Sequence, residues 1–184
     1  MLLRLNRIKG SFLKTIIVRI RLLLLGLWLG AAVFFGAAVA PAVFSVLRGA
    51  QLSNSNELAG MIVQRVLGVI NRGGFEIALF LLVTGFLINR KESRLVQFAE
   101  MISLAIVAIM TGVSHWVISA RMLALKSAMQ APTDQFAATD PRRIAFDALH
   151  HYSVMAMGLA IVAGLVAFLI MARPRSLTES EARE

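Results

Sequence analysis

The 184-residue chain contains no cysteine, which excludes disulfide bonds, iron–sulfur clusters, thiolate zinc sites and a cysteine nucleophile. Charged residues are also scarce: they make up 16% of the chain, and only ten residues are acidic, whereas 58% are hydrophobic. Soluble domains carry a larger charged fraction, about 25%. The composition therefore excludes an ordinary soluble enzyme and indicates a membrane protein with no room for a separate soluble domain.

Long runs without charge predict the membrane spans. Stretches free of Asp, Glu, Lys and Arg cover residues 22–47, 77–89, 101–120 and 148–172. The second stretch has only 13 residues, too few to cross a bilayer, so it must extend backward and take Arg72 and Glu76 into the membrane. We predict an all-α fold, an antiparallel bundle of four transmembrane helices. The domain covers residues 22–172, with spans at about 22–47, 67–89, 99–120 and 150–172, and a polar cytoplasmic tail at 173–184 follows it.

The distribution of basic residues predicts the orientation of the chain. Of the 19 Lys and Arg, twelve lie before the first span, between spans two and three, or after the fourth, and six lie on the other side. The positive-inside rule then places both termini in the cytoplasm and the protein in the inner membrane. The net charge of +9 is explained by contact with an anionic cytoplasmic leaflet. Nucleic acid is not expected as a partner, because the basic residues alternate with Leu and Ile and not with stacking aromatics.

Residues 1–21 predict a basic amphipathic helix on the surface of the cytoplasmic leaflet. Its apolar stripe contains Leu5, Ile8, Phe12, Ile16 and Ile20, and its basic stripe contains Arg4, Arg7, Lys14 and Arg21. The alternative is a cleaved signal peptide, for which residues 38–40 offer an A-x-A site. An uncleaved first span is favoured because the apolar run is longer than a signal peptide uses.

Small residues and prolines predict how the helices pack and where they end. Gly26, Gly30 and Gly36 give span one a smooth face for close helix packing, either inside the bundle or against another protein. Pro41 removes a helical hydrogen bond, so we expect a kink or a helix end there. Asp140 followed by Pro141 predicts the N-terminal cap of the fourth helix.

Polar residues of three spans gather at one depth if each residue advances the helix by about 1.5 Å. His115, His150 and His151, which are all the histidines of the chain, would lie with Arg72 and Glu76 in the outer third of the membrane. Arg72 and Glu76 are four residues apart and can form an ion pair. The Asp147 carboxylate, three and four residues before the two adjacent histidines, can orient an imidazole.

Three uses of this cluster remain open at the level of sequence. The histidines could hold one b-type haem with Arg72 near its propionates. They could instead bind copper together with thioethers from Met122, Met129 or Met61. In the third interpretation the cluster is structural: Arg72 and Glu76 tie helices together, His115 donates to a carbonyl, and the other two histidines join an interfacial belt with Trp116 and Tyr152.

Two segments carry a resemblance to a known family. The stretch LWLGAAVFFGAAVAPAVF (residues 27–44) and the segment FDALHHY (residues 146–152) resemble the first and last spans of the transmembrane-protein-205-like family. The resemblance extends loosely over residues 20–172, and His150 matches the family histidine. It implies a four-span bundle carrying a domain of unknown function. A more distant likeness to the copper-resistance D membrane domain rests on Trp28, Gly30 and Pro41.

No catalytic arrangement accompanies these features: there is no nucleophile beside a base, no HExxH motif and no pair of carboxylates on one helix face. We therefore expect a non-enzymatic accessory or assembly subunit that packs against other membrane proteins. The alternative is a haem- or copper-handling carrier built on the histidine cluster. A third interpretation, a small proton-coupled transporter, requires Glu76 to titrate.

Overall fold

The computed structural model describes residues 2–52, 54–87, 93–129 and 135–173, with side chains from Thr15 onward. Four helical stretches are long and apolar enough to span a membrane: Thr15–Gly49, Ser55–Leu87, Arg94–Met129 and Pro141–Ala172. The described residues contain no strand. The predicted all-α, four-helix membrane fold is confirmed.

Two of the four stretches contain a short π-helical turn, so the chain has six α-helices and two π segments among its described residues. In chain order they are α1 (Leu2–Phe34), π1 (Phe35–Val39), α2 (Ala40–Gly49), α3 (Ser55–Leu87), α4 (Arg94–Gly112), π2 (Val113–Ile118), α5 (Ser119–Met129) and α6 (Pro141–Ala172). Helix α1 runs without a break through the segment predicted as a separate surface helix and into span one.

The helices form a bundle in which α1 packs against α3 and α6, and α4 packs against the same two helices. Helices α1 and α4 are therefore diagonal neighbours. The buried core contains large side chains from three helices, Leu25 and Trp28 of α1, Leu81 of α3 and Leu104 of α4. Helix α6 contributes mainly alanines to this core, namely Ala160, Ala163 and Ala167. Small residues on α6 leave room for the larger side chains of α1 and α4 in the interior.

Trp28 is the side chain that joins α1 to its neighbours at the centre of the core. It is 5% exposed, and its indole Nε1 donates a hydrogen bond to the carbonyl of Ile70 on α3 at 3.0 Å. Two glycines make room for the indole: a Cβ on Gly74 would contact Trp28 Nε1, and a Cβ on Gly164 would lie 2.9 Å from Trp28 Cζ3. The position of the indole thus depends on glycine at both places.

Arg21 is completely buried, which shows that its predicted place on an exposed basic stripe is wrong. Its Nη2 contacts Glu100 Oε1 of α4 at 2.6 Å, and its Nη1 donates to the Leu81 carbonyl and to Thr84 Oγ1 of α3, each at 2.5 Å. The side chains of Arg21 and Glu100 are 0% and 3% exposed. Arg21 turns inward because α4 supplies a carboxylate and α3 supplies acceptors at the same level. We call this the Arg21 end of the bundle.

The helix does not end at Pro41, and a π turn precedes the proline. The residues before it form π1, in which the Ala40 N–H donates to the Phe35 carbonyl five residues earlier, and α2 then continues to Gly49. Because proline has no N–H for the Ala37 carbonyl, a wider turn at this place accommodates the missing bond.

The start of α6 confirms the prediction made for Asp140 and Pro141. The Asp140 carboxylate accepts a hydrogen bond from the Arg142 backbone N–H at 2.8 Å, and Pro141 occupies the first turn. Hydrogen bonds from the Arg142 guanidinium, and then from the Arg142 backbone, hold the pKa of Asp140 below its ordinary value. The cap therefore remains ionised, and available to the helix, at neutral pH.

We predict that breaking the buried pair destabilises the protein strongly. Arg21→Met or Glu100→Leu removes one partner of a buried charged contact, which costs about 3–5 kcal/mol, whereas the double variant recovers much of that loss. Unfolding of the purified protein in detergent, followed by circular dichroism, measures the effect. Arg48→Met is the control, at an exposed arginine whose Nε bonds to the Phe44 carbonyl of its own helix. Single losses no larger than that of the control would contradict the role given to the pair.

We also predict opposite outcomes at two glycines with different surroundings. Gly74→Ala places a methyl group against Trp28 and costs about 1–3 kcal/mol through overpacking. Gly158→Ala on α6 has no described atom within 4 Å of its Cβ position and, because alanine favours a helix, is neutral or slightly stabilising. The same unfolding measurement compares the two variants, and equal effects would show that the indole does not lie against Gly74.

Candidate functional site

Arg72 and Glu76 form the predicted ion pair, but on the outside of the bundle. Arg72 Nε donates to Glu76 Oε1 at 2.8 Å, and the two side chains are 68% and 60% exposed. The inward face of α3 is formed instead by Asn71, Gly74 and Ala78. The structural interpretation of the cluster expected this pair to tie helices together. Within the described part of the chain, the pair does not join α3 to another helix.

The depth of this pair follows from its neighbours. Asn71, which precedes Arg72, is hydrogen-bonded to Ser114, and Ser114 lies about 21 Å along its helix from Glu100 at about 1.5 Å per residue. The next charged residue, Arg121, is about 10 Å further along. The pair thus lies at the depth of the charge-free run 101–120, nearer the end at Arg121, and the cost of an arginine facing lipid there is at most the value of about 2.5–3.5 kcal/mol for a central position.

The three histidines differ in their surroundings. The ring of His115 lies in π2, half-buried and edge-on to Trp116, with 4.8 Å between the ring centroids. Its Nδ1 is buried and has no hydrogen-bond partner among the described residues, so the expected bond to a carbonyl is not formed by that atom. His150 and His151 are both exposed on α6.

The remaining carboxylate of the predicted cluster pairs with a guanidinium and not with an imidazole. Asp147 Oδ2 lies 3.9 Å from Arg143 Nε, and its side chain is 66% exposed. Across the described ranges, no group of three His, Asp or Glu side chains is arranged to hold a metal ion. The structure therefore shows two separate surface ion pairs, Arg72–Glu76 and Arg143–Asp147, where the sequence predicted one cluster with the histidines.

A different polar group occupies the interior at this depth, and the sequence analysis missed it. Asn71 Nδ2 donates to Ser114 Oγ at 2.9 Å, and Ser114 Oγ lies 3.5 Å from Ser153 Oγ. These three residues, which we call the Asn71 layer, are between 0% and 6% exposed and join α3, π2 and α6. Each of these three residues lies on the same stripe of its helix as buried small residues. That pattern is the sequence signal that could have predicted their burial.

The π2 turn positions Ser114 in this layer. The Ser114 carbonyl accepts hydrogen bonds from both the backbone N–H of Ser119 and the Ser119 hydroxyl, the latter at 2.9 Å. These bonds satisfy a backbone group that the irregular turn would otherwise leave unpaired in an apolar environment. A single π turn inside an α-helix is often found where a side chain must be re-aimed, and here it aims a hydroxyl at Asn71.

The chemistry of the Asn71 layer is hydrogen bonding between neutral groups. It contains no side chain that titrates near neutral pH and no pair of a nucleophile and a base. Asn71 Oδ1 is buried and has no partner among the described residues. The arrangement can fix the register of three helices in the membrane, because the contacts of Asn71 Nδ2 with Ser114 and of Ser114 with Ser153 form only when these residues lie at the same depth.

An open groove of about 570 Å³ runs between α5 and α6 beyond this layer. It is lined by Arg121, Ala124, Leu125, Ala145, Ala148, Leu149 and Tyr152. Nearby, the Lys126 ammonium lies 5.9 Å from the ring centroid of Phe146. The groove is shallow and mostly apolar, and it lies on the surface, apart from the Asn71 layer.

Comparison with known proteins identifies one match. The model of a family described as a domain of unknown function (DUF4149) matches residues 23–131, which cover α1 from its first buried core positions through α5. No curated protein and no solved structure matches the chain. The likeness to the transmembrane-protein-205-like family and to the copper-resistance D domain remains a prediction.

We predict measurable coupling between Asn71 and Ser114. Asn71→Ala and Ser114→Ala each destabilise the protein, and the double variant loses less than the sum of the two, by about 0.6–1.7 kcal/mol, the range found for interhelical hydrogen bonds in membranes. Ser127→Ala is the control, because this exposed hydroxyl donates to the Ala124 carbonyl of its own helix. Strictly additive losses would mean that the two side chains do not interact.

Proposed function

The chain belongs to the DUF4149 family and is an integral membrane protein with four spanning helices, and on that basis we propose that it is a non-catalytic accessory or assembly subunit that packs against other membrane proteins. We further propose that it lies in the inner membrane with both termini in the cytoplasm. The excess of Lys and Arg outside the first, second and fourth spans on one side supports this orientation.

The observation that carries this proposal is the outward position of two glycines in span one. Gly26 packs inside the bundle, where its Cβ position lies 3.1 Å from Phe168 Cε2 of α6. Gly30 and Gly36 are instead exposed, and no atom from elsewhere in the described bundle lies within 4 Å of their Cβ positions. The small-residue face predicted for span one is thus divided between the interior of the bundle and its surface.

An exposed glycine is useful on a transmembrane helix when another helix approaches it. Lipid tails are as apolar as leucine, so helices associate in membranes through close packing and hydrogen bonds, and small residues permit that approach. Large apolar side chains flank the two glycines: Leu27 is 61% exposed and Phe34 is 66% exposed. The side chains of Leu27 and Phe34 project on either side of Gly30, so a partner helix with a large side chain opposite Gly30 would fit this surface.

The haem- or copper-binding alternative gains no support from the geometry. Two of the three histidines are exposed on α6, and the part of the chain that the structure describes contains no three-residue metal group. The transporter interpretation is not favoured either, because Glu76 lies on the outside of the bundle in an ion pair with Arg72. The accessory role is therefore the one that the lipid-facing surface supports best.

We predict that filling the outward gap in α1 releases the partner. Gly30→Leu in the full chain should reduce co-purifying membrane proteins at least tenfold in mild detergent and move the native complex to a lower mass. The protein itself should stay folded, since Gly30 is exposed and its Cβ position has no described atom within 4 Å.

Gly158→Leu is the matched control for this experiment. Gly158 is also exposed on a spanning helix, α6, with nothing within 4 Å of its Cβ position. The control should retain the partner. Equal recovery from both variants, or a wild-type chain that purifies alone and whose deletion leaves every membrane complex unchanged, would contradict the proposed function.

A further inference from the structure

The outward face of α3 repeats every 3.5 residues. Its members alternate in steps of four and three: Val69, Gly73, Glu76, Phe80, Val83 and Leu87. The four apolar residues of this stripe are 43–73% exposed, and the Glu76 side chain is 60% exposed. We call this set the α3 stripe. A 3.5-residue repeat is the pattern of a helix that pairs with another helix in a left-handed coiled coil.

The Arg72–Glu76 pair lies on this face and is incompletely satisfied. One hydrogen bond, from Arg72 Nε to Glu76 Oε1, is formed between the two side chains. No other described side chain or carbonyl bonds to the terminal nitrogens of Arg72 or to the second oxygen of Glu76. Lipid tails offer no donors or acceptors, so a protein partner at this depth would satisfy these atoms.

We propose that the α3 stripe is a homodimer interface, on which a second copy of this chain docks with its own α3 parallel to the first. Two copies inserted in the same orientation are related by a two-fold axis along the membrane normal. Equivalent residues then lie at the same depth, and the Arg72 guanidinium of one copy reaches the Glu76 carboxylate of the other.

Charge complementarity argues for a second copy over an unrelated helix. The donor and the acceptor lie one helical turn apart on the same face, so the face is complementary to itself under a two-fold rotation. Two Arg72 and two Glu76 side chains form a network with no net charge, and each guanidinium can bond to both carboxylates. An unrelated partner would have to bring a cation and an anion of its own at the matching depth.

The residues around the pair suit a close approach of two helices. A Cβ on Gly73, next to Arg72, would have nothing within 4 Å, so a neighbouring backbone can come near. A polar residue in an otherwise apolar helix–helix interface sets the register of the helices and the number of helices that associate. We assign this role to Glu76. The interface is separate from the Gly30 surface of α1, so the two proposals can fail independently.

The absence of cysteine makes this interface testable by single-cysteine crosslinking of the full chain in native membranes. Val69→Cys and Val83→Cys lie two heptads apart at equivalent stripe positions, and each should form a disulfide-linked dimer under mild oxidation. Val162→Cys, 59% exposed on α6, is the control and should give at least tenfold less dimer. Val83→Cys crosslinking no greater than that of the control, or crosslinking of Val83→Cys to a different protein, would overturn the proposal.

Charge exchange distinguishes a specific network from general apolar contact. In the Val83→Cys background, Glu76→Arg alone and Arg72→Glu alone should each reduce the dimer at least tenfold, because like charges then face each other. Co-expressing the two variants with different tags should restore a dimer that carries both tags. Failure to restore it would overturn the reciprocal pairing, whereas Gly30→Leu should leave the crosslink unchanged.

Discussion

The buried ion pair between Arg21 and Glu100 is the interaction on which the rest of the bundle depends. It joins α1 to α4, which are diagonal neighbours, and Arg21 also bonds to a carbonyl and a hydroxyl of α3. A guanidinium removed from water must have its acceptors in place, so three helices can adopt only the relative heights at which Leu81, Thr84 and Glu100 meet it. Gly85 leaves room for this group, because a Cβ there would lie 3.0 Å from Arg21 Nη2.

Hydrogen bonds at a second depth, about 15 Å from Leu81 along α3, maintain that register. Trp28 bonds to the Ile70 carbonyl, and the adjacent Asn71 begins the layer that joins α3, π2 and α6. Between this level and Arg21 the contacts are apolar and depend on Gly74, Gly164 and the alanines of α6. Apolar side chains gain little from packing on each other over packing on lipid, so the polar contacts supply the specificity and the small residues supply the fit.

The outer surface of the bundle carries features that its interior does not use. Gly30 and Gly36 have open space before them, and the Arg72–Glu76 pair presents unfilled hydrogen-bonding capacity in an apolar region. Small residues and polar pairs are common on a membrane-protein surface that another helix covers. An ion pair on a surface that faces only lipid is costly. The two surfaces lie on different helices, so the self-association and the packing against other membrane proteins that we propose do not compete for one face.

How much of this was accessible from sequence depends on how far apart the interacting residues are. The four spans, the helical cap at Asp140 and the pairing of Arg72 with Glu76 follow from charge-free length and from spacings within one helix, so the sequence by itself determined them. Which way a helix faces was decided only in three dimensions. Arg21 belongs to a regular basic stripe but turns inward, because Glu100, 79 residues away, offers it a carboxylate. The Asn71 layer and the division of the Gly26–Gly36 face likewise depend on which helix becomes a neighbour, and that is a property of the packed bundle and not of any one segment.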